Sequence, residues 1–312
     1  MKKVLLIVGP TAVGKTKLSL KLAHRYNGEV ISCDSMQIYR SLNIGTAKLM
    51  PKDRQGIPHH LIGIRNVYQR YSVANFVNDA LKWIQIIHQR RHLPIIVGGT
   101  NLYLQALLDN LNLGGDRFKG FGTRRKLKSY GDQHGKQALW DWLNKVDPKY
   151  AEKTPYQNER RVIRALEVYL TTHHRFSEQK LVPRKGLDFL IIGLNTDRQL
   201  LYKRINSRVD KMVKQGLLKE ARWLYECGGS VLPAGMGIGY HELYPYFDHE
   251  RSLQDAIIQI KRDSRHYAKH QLTWFRNKMK VNWYDLIQHP EQLKPMCNQI
   301  DTWLGKKTEA NR

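Results

Sequence analysis

The stretch Gly9-Pro10-Thr11-Ala12-Val13-Gly14-Lys15-Thr16 has the spacing G-x-x-x-x-G-K-T. Its glycines let successive backbone N–H groups turn inward on an anion. A helix starting at Lys15 would add its positive N-terminal end. Lys15 supplies a mobile charge and Thr16 a hydroxyl able to ligate Mg²⁺, so the stretch is read as a phosphate site. Asp34 is the second candidate. A carboxylate beside such a loop either holds Mg²⁺ through water or takes a proton from a nucleophile; a capping bond to Ser35 or the backbone is the plainer alternative. Thr100, after Gly98-Gly99, either hydrogen-bonds a substrate or caps a helix. Arg204 and Arg208, at i and i+4, either close over a diphosphate or form a surface pair. His59 and His60 point in different directions with no third ligand nearby, so a packed or hydrogen-bonded role is expected of them.

These groups need a scaffold that gathers them. Val4–Val8, Glu29–Ser32, Leu93–Val97 and Asp188–Leu194 are short apolar runs that read as buried strands, and Lys280–Tyr284 as a possible last one. Between them fall a helix after Lys15, another over Tyr71–Gln89 with Ser72 as its N-cap, and a third ending at Leu108. Strand alternating with helix is the doubly wound α/β pattern, with a parallel sheet flanked by helices. Parallel strands bring their C-terminal ends to one edge, which delivers Asp34 to the phosphate loop. Leu42 to Leu61 reads as irregular. From Gly114 to about Lys185 the pattern breaks into helices over Lys136–Leu143 and Asn158–Tyr169, read as an insertion. The expected division is residues 1–113 as the first part of the core, 114–185 as the helical insertion and 186–312 as the second part of the core. That last part is expected to be mainly helical, over Arg198–Gln215, Leu217–Cys227 and Ser252–Arg276, with basic C-terminal helices.

Composition says what partner to look for. The 312 residues carry 52 Lys+Arg against 27 Asp+Glu, a net +25, and charge of that sign and size points to nucleic acid. The basic residues are grouped. Arg160, Arg161 and Arg164 share one side of a helix, and Lys261, Arg265 and Lys269 stack at i, i+4, i+8 among Tyr267, Trp274 and Phe275. Basic stripes with aromatics suit a phosphate backbone and unstacked bases. Three scattered cysteines give neither a disulfide framework nor a zinc site. No apolar run approaches the length of a membrane span, and Met1-Lys2-Lys3 leads straight into the first strand, so a cytoplasmic protein is expected. A motor ATPase would show a long apolar run ending in Asp; here Leu93–Val97 ends in Gly-Gly-Thr, which favours a kinase-like transferase. A kinase of a nucleotide or small metabolite and a non-enzymatic RNA-binding P-loop protein are the alternatives.

Taken together, Gly9–Thr16 (GPTAVGKT), Asp34–Arg40 (DSMQIYR), Ile44–Lys48 (IGTAK), Pro58–Ile62 (PHHLI), Tyr71–Ala74 (YSVA), Gly98–Leu107 (GGTNLYLQAL), Arg160–Val168 (RRVIRALEV), Ile238–Glu242 (IGYHE) and Tyr267–Arg276 (YAKHQLTWFR) resemble the tRNA dimethylallyltransferase family over nearly the whole chain. The resemblance implies a P-loop NTPase-like core with a helical insertion. It implies that Thr11 to Thr16 hold the diphosphate of dimethylallyl diphosphate with Mg²⁺, and that the prenyl group goes to the exocyclic amine of the adenosine 3′ of the tRNA anticodon. By motif, Asp34 is the general base and Thr100 hydrogen-bonds near the reacting centre. Asp34, Ser35, Met36 and Gln37, together with Arg160, Arg161, Val162, Ile163 and Arg164, are implied to contact the tRNA anticodon stem-loop, as is Arg124 by a looser alignment. A monomer is expected. Departures from the family pattern fall at Val13, Asn101 and Gly63, none of them a proposed catalytic group.

Overall fold

Strand β1 (Lys2–Val8) lies in the interior of the sheet, between two neighbours, and Val4 to Val8 are fully buried. Both its faces are covered, which explains an unbroken apolar run where a one-sided strand would alternate. Around it lie β2 (Gly28–Cys33), β3 (His59–His60), β4 (Leu93–Gly98), β5 (Leu187–Leu194) and β6 (Asn282–Tyr284). The sheet order is β3-β2-β4-β1-β5-β6, and every pairing is parallel. The register sets Leu5 beside Ile95 and Leu190, and Val30 beside both Ile95 and His59.

The computed structural model describes residues 1–110, 121–179 and 182–306. The boundary expected at 113–114 lies outside them. They fall into two compact units, Met1–Leu104 with Lys185–Arg312, and Gln105–Arg184. The first is the α/β sheet flanked by helices that the sequence pattern predicts. Its helices are α1 (Lys15–Tyr26), α2 (Val73–Gln89) and the start of α3 (Asn101–Leu108). The second unit contains α4 (Phe121–Val146), α5 (Pro148–Ala151) and α6 (Glu159–Thr172). The first unit then continues with α7 (Arg198–Lys214), α8 (Leu217–Glu226), α9 (Tyr244–Phe247), α10 (Leu253–Lys278) and α11 (Leu293–Leu304). Ser72 caps α2 as expected, in a reciprocal pair with Asn75.

The second unit has a core of its own, with Leu127, Leu139, Leu143, Val162, Ile163 and Leu166 packed together. Inside α4 the backbone leaves the helix at Gly135 (φ 85°), a conformation open to glycine, so two helices run end to end. Val162 and Ile163 are 0% and 6% exposed. Expected among the tRNA contacts, they have their side chains packed in the core of this unit.

Strand β3 and helix α11 depart from the sequence reading, as do the short helices α5 and α9. The stretch read as irregular contains β3, which adds His59 and His60 to the sheet edge. His60 Nε2 lies 2.6 Å from a carboxylate oxygen of the buried Glu29 and its ring stacks on Trp83, while His59 Nδ1 lies 2.8 Å from the Ile57 carbonyl. Both histidines thus have the packed, hydrogen-bonded role expected of them. Helix α11 has no counterpart in the reading. Pro295 sits in its first turn, where no helical N–H is needed, and Met296, Cys297 and Ile300 are its buried face.

Candidate active site

The sheet order decides which loops meet. β4 lies between β2 and β1, so the loops after β2, β4 and β1 stand side by side at the C-terminal edge. With strands about 4.8 Å apart, the Asp34 loop and the phosphate loop are separated by roughly 10 Å, and the Gly98–Thr100 loop fills the space between. A cavity of about 630 Å³ opens there.

The geometry of the Gly9–Thr16 loop suits an anion. Gly9 has φ 141°, and a Cβ there would lie 2.4 Å from the Leu194 carbonyl oxygen. Gly14 precedes α1 at φ 110°, and no side chain caps that helix, so its first-turn N–H groups are left for an anion. Ala12 holds φ 64°, a strained value for an L-residue, and its carbonyl accepts from Arg204 Nε at 3.0 Å. Lys15 Nζ donates to the Gly9 carbonyl at 2.9 Å and the Pro10 carbonyl at 2.6 Å, which folds its ammonium back over the loop. Burial pulls the Lys15 pKa down to about 7; the positive charge of Arg208 adds to this and Asp34 opposes it.

This depression has a consequence for binding. A diphosphate favours the charged ammonium, so binding above pH 7 requires Lys15 to take up a proton. Affinity for inorganic diphosphate is expected to fall by up to about tenfold per pH unit between pH 7.5 and 9. Isothermal titration in two buffers of different ionisation enthalpy should show proton uptake in that range, and Lys15→Met should abolish it. Equal affinities across the range would contradict it.

Opposite the loop, Asp34 follows β2. Its Oδ1 accepts from the Met36 N–H at 2.8 Å and the Gln37 N–H at 3.2 Å, the capping arrangement the plainer reading foresaw. Oδ2 carries neither of these bonds. Thr100 Oγ1 accepts from the Ser35 N–H at 3.1 Å. The side chain therefore braces the residue after Asp34, and the cap of α3 is made by the Thr100 carbonyl, to Tyr103 and Leu104.

Thr11, Ala12, Gly14, Lys15, Thr16, Asp34, Gln37, Arg204 and Arg208 all line the cavity. Gly9 and Pro10 act behind it through their carbonyls, and Val13 is packed in the core below, 3% exposed. Val30, Leu49, Ile62 and Val97 give the cavity an apolar wall, and Lys203, Arg204, Arg208 and Lys211 a basic one.

Among the described residues of the second unit, Arg160 and Arg161 are exposed on α6. Arg124 and Arg164 converge on the buried Glu167, each at 2.7 Å. The stripe on α10 is a correction. Lys261 pairs with Asp210 at 2.6 Å and Arg265 donates to Asn206 Oδ1 at 2.8 Å, so two of its three members tie α10 to α7. Lys269 remains exposed.

Two residues escaped the sequence reading. Glu220 on α8 accepts from the N–H groups of Asn43, Ile44 and Gly45 at 2.8–3.0 Å and from the Tyr240 hydroxyl at 2.7 Å, pinning the loop that follows Asp34. Gln271 on α10 is 3% exposed, and its amide meets Thr11 and Gly99. A glutamine among the buried positions Ala268 and Phe275 was the available signal. Glu220 left none, since its partners lie far away in sequence.

Known proteins resemble this chain in sequence and in fold. The family model described as IPP transferase matches residues 37–278. The chain is 54% identical to the tRNA dimethylallyltransferase of Limosilactobacillus reuteri (strain DSM 20016) over 308 residues, 98% of this chain and 100% of the relative. It is 52% identical to the enzyme of that name from Ligilactobacillus salivarius (strain UCC118), covering 97% and 99%. Among solved structures, the tRNA isopentenylpyrophosphate transferase of Bacillus halodurans superposes with a TM-score of 0.73 at 45% identity, over 97% of this chain and 96% of that one. A eukaryotic dimethylallyltransferase acting on tRNA superposes at 0.83 and 31% identity, over 99% and 81%. On sequence and on fold alike, the chain belongs to the IPP transferase family.

Proposed function

We propose that the protein transfers the dimethylallyl group of dimethylallyl diphosphate to the exocyclic N6 amine of the adenosine immediately 3′ of the anticodon in tRNA. The observation that carries this is the cavity itself, which an anion-binding loop, basic side chains, Asp34 and apolar residues line together. The allylic C–O bond breaks as the diphosphate leaves into the Lys15 and arginine side. The N6–C bond forms, and the N6 proton passes to Asp34 Oδ2. The adenine leaves its stack to enter, as a base buried in a helix must. Thr16 and Asp34 present hard oxygen donors to one cavity, which suits Mg²⁺. Bound there, Mg²⁺ would neutralise part of the diphosphate charge.

We read residues 114–185 as an insertion that contacts the tRNA, through Arg160, Arg161, Arg164 and Arg124, with Asp34 to Gln37 meeting the anticodon loop. A cytoplasmic monomer using tRNA and dimethylallyl diphosphate follows from the same reading. Replacing the target adenosine by guanosine in a tRNA transcript should abolish transfer of labelled prenyl group; transfer at the wild-type rate would refute the proposed acceptor. Arg161→Ala should weaken tRNA binding and reduce the slope of log K against log salt by about 1. An unchanged slope in filter-binding titrations would exclude a phosphate contact.

A further inference from the structure

We propose that Gln271 is a positioning residue for the transfer: one buried amide that locks the diphosphate loop to the loop bearing Thr100. The inference rests on the function proposed above. Gln271 Oε1 accepts from the Thr11 N–H at 3.0 Å, and Nε2 donates to the Gly99 carbonyl at 2.9 Å. An N–H on one side and a carbonyl on the other admit only one orientation of the amide. The fit is tight, because a Cβ on Gly99 would lie 2.0 Å from Nε2. Glycine is thus required there to admit this side chain.

The contact continues on both sides. Gly99 leads into Thr100, whose hydroxyl holds the Ser35 N–H beside Asp34. Thr11 leads into the loop over which Lys15 folds. The connection Thr11–Gln271–Gly99–Thr100–Ser35 therefore joins the side that takes the leaving group to the side that takes the proton. Both must be placed against one allylic carbon, and misplacement by about 1 Å costs on the order of 10²-fold in rate. The Thr11 N–H, already donating to Gln271, leaves the diphosphate to the later N–H groups of the loop. Tyr267, one turn before Gln271 on α10, lines the same cavity.

Gln271→Met keeps the side chain's bulk and removes both hydrogen bonds. Gln271→Glu is isosteric: protonated, it restores donor and acceptor; ionised, it repels the Gly99 carbonyl. Both variants of the full-length protein would be assayed with labelled dimethylallyl diphosphate and unmodified tRNA. Wild-type transfer tests the underlying reading; its absence would overturn that reading rather than the coupling. Gln271→Met is expected to lose kcat by about 10²-fold with the KM for tRNA within about twofold. Gln271→Glu is expected to show a smaller deficit against wild type at pH 6 than at pH 8. Asp34, Lys15, Arg208 and Tyr267 are present in both proteins, so the ratio isolates residue 271. Wild-type kcat in Gln271→Met overturns the inference, as does a Gln271→Glu deficit that is the same at both pH values; if Gln271→Met does not fold, the pH comparison decides alone.

Discussion

Asp34→Asn is expected to lower kcat by about 10²- to 10⁴-fold while leaving tRNA affinity within about twofold. The substitution separates the two jobs of the side chain. An asparagine Oδ1 still accepts from Met36 and Gln37, the bonds that shape the loop. What disappears is the second oxygen as a proton acceptor. An aromatic exocyclic amine is a weak nucleophile and becomes strongly acidic once alkylated, so removal of its proton has to accompany or follow attack. Asp34→Ala should fall at least as far and also loosen the loop, raising the KM for tRNA. Steady-state kinetics on both variants make the comparison. An Asn variant with wild-type kcat would remove Asp34 from the chemistry and leave it a turn-forming residue.

Lys15→Met is expected to lower kcat by about 10²- to 10³-fold, the scale of losing one preorganised charge on a leaving group. Its effect on stability should have the opposite sign. Folding buries an ammonium whose pKa is pulled from 10.5 to about 7. Stability therefore rises with pH between about 7 and 10.5, and the penalty is fully present below 7. Removing the charge should raise Tm at pH 6, and the gain should shrink as pH climbs toward 10. Calorimetry at several pH values, beside kinetics, tests both halves. A variant that is less stable at pH 6 and as active as wild type would contradict the role on both counts.

The contiguous chemistry was legible in the sequence because it is local. Gly9 to Thr16 form one turn in which Gly9 and Gly14 hold φ angles that glycine tolerates readily, and β1, β4 and β5 are apolar runs that read as buried strands. Asp34 and Thr100 followed because strands of one parallel sheet end at one edge. What escaped is non-local. β3 is two residues long, and its pairing is decided by β2, not by any pattern in His59-His60. Glu220 and Gln271 act on backbone 172 or more residues distant in the chain. The α10 stripe shows the limit most plainly. Spacing at i, i+4 and i+8 describes a solvated basic face and a helix-to-helix seam equally well; Asp210 and Asn206 on α7 decide for the seam.

The most direct test presents the protein with both chemistries that a P-loop can serve. Wild-type protein, Mg²⁺ and an unmodified tRNA are incubated with labelled dimethylallyl diphosphate and, in parallel, with γ-labelled ATP. Label from the prenyl donor should enter the tRNA with one diphosphate released per group transferred, while ATP is left intact. ATP turnover with no label in the RNA would contradict the assignment.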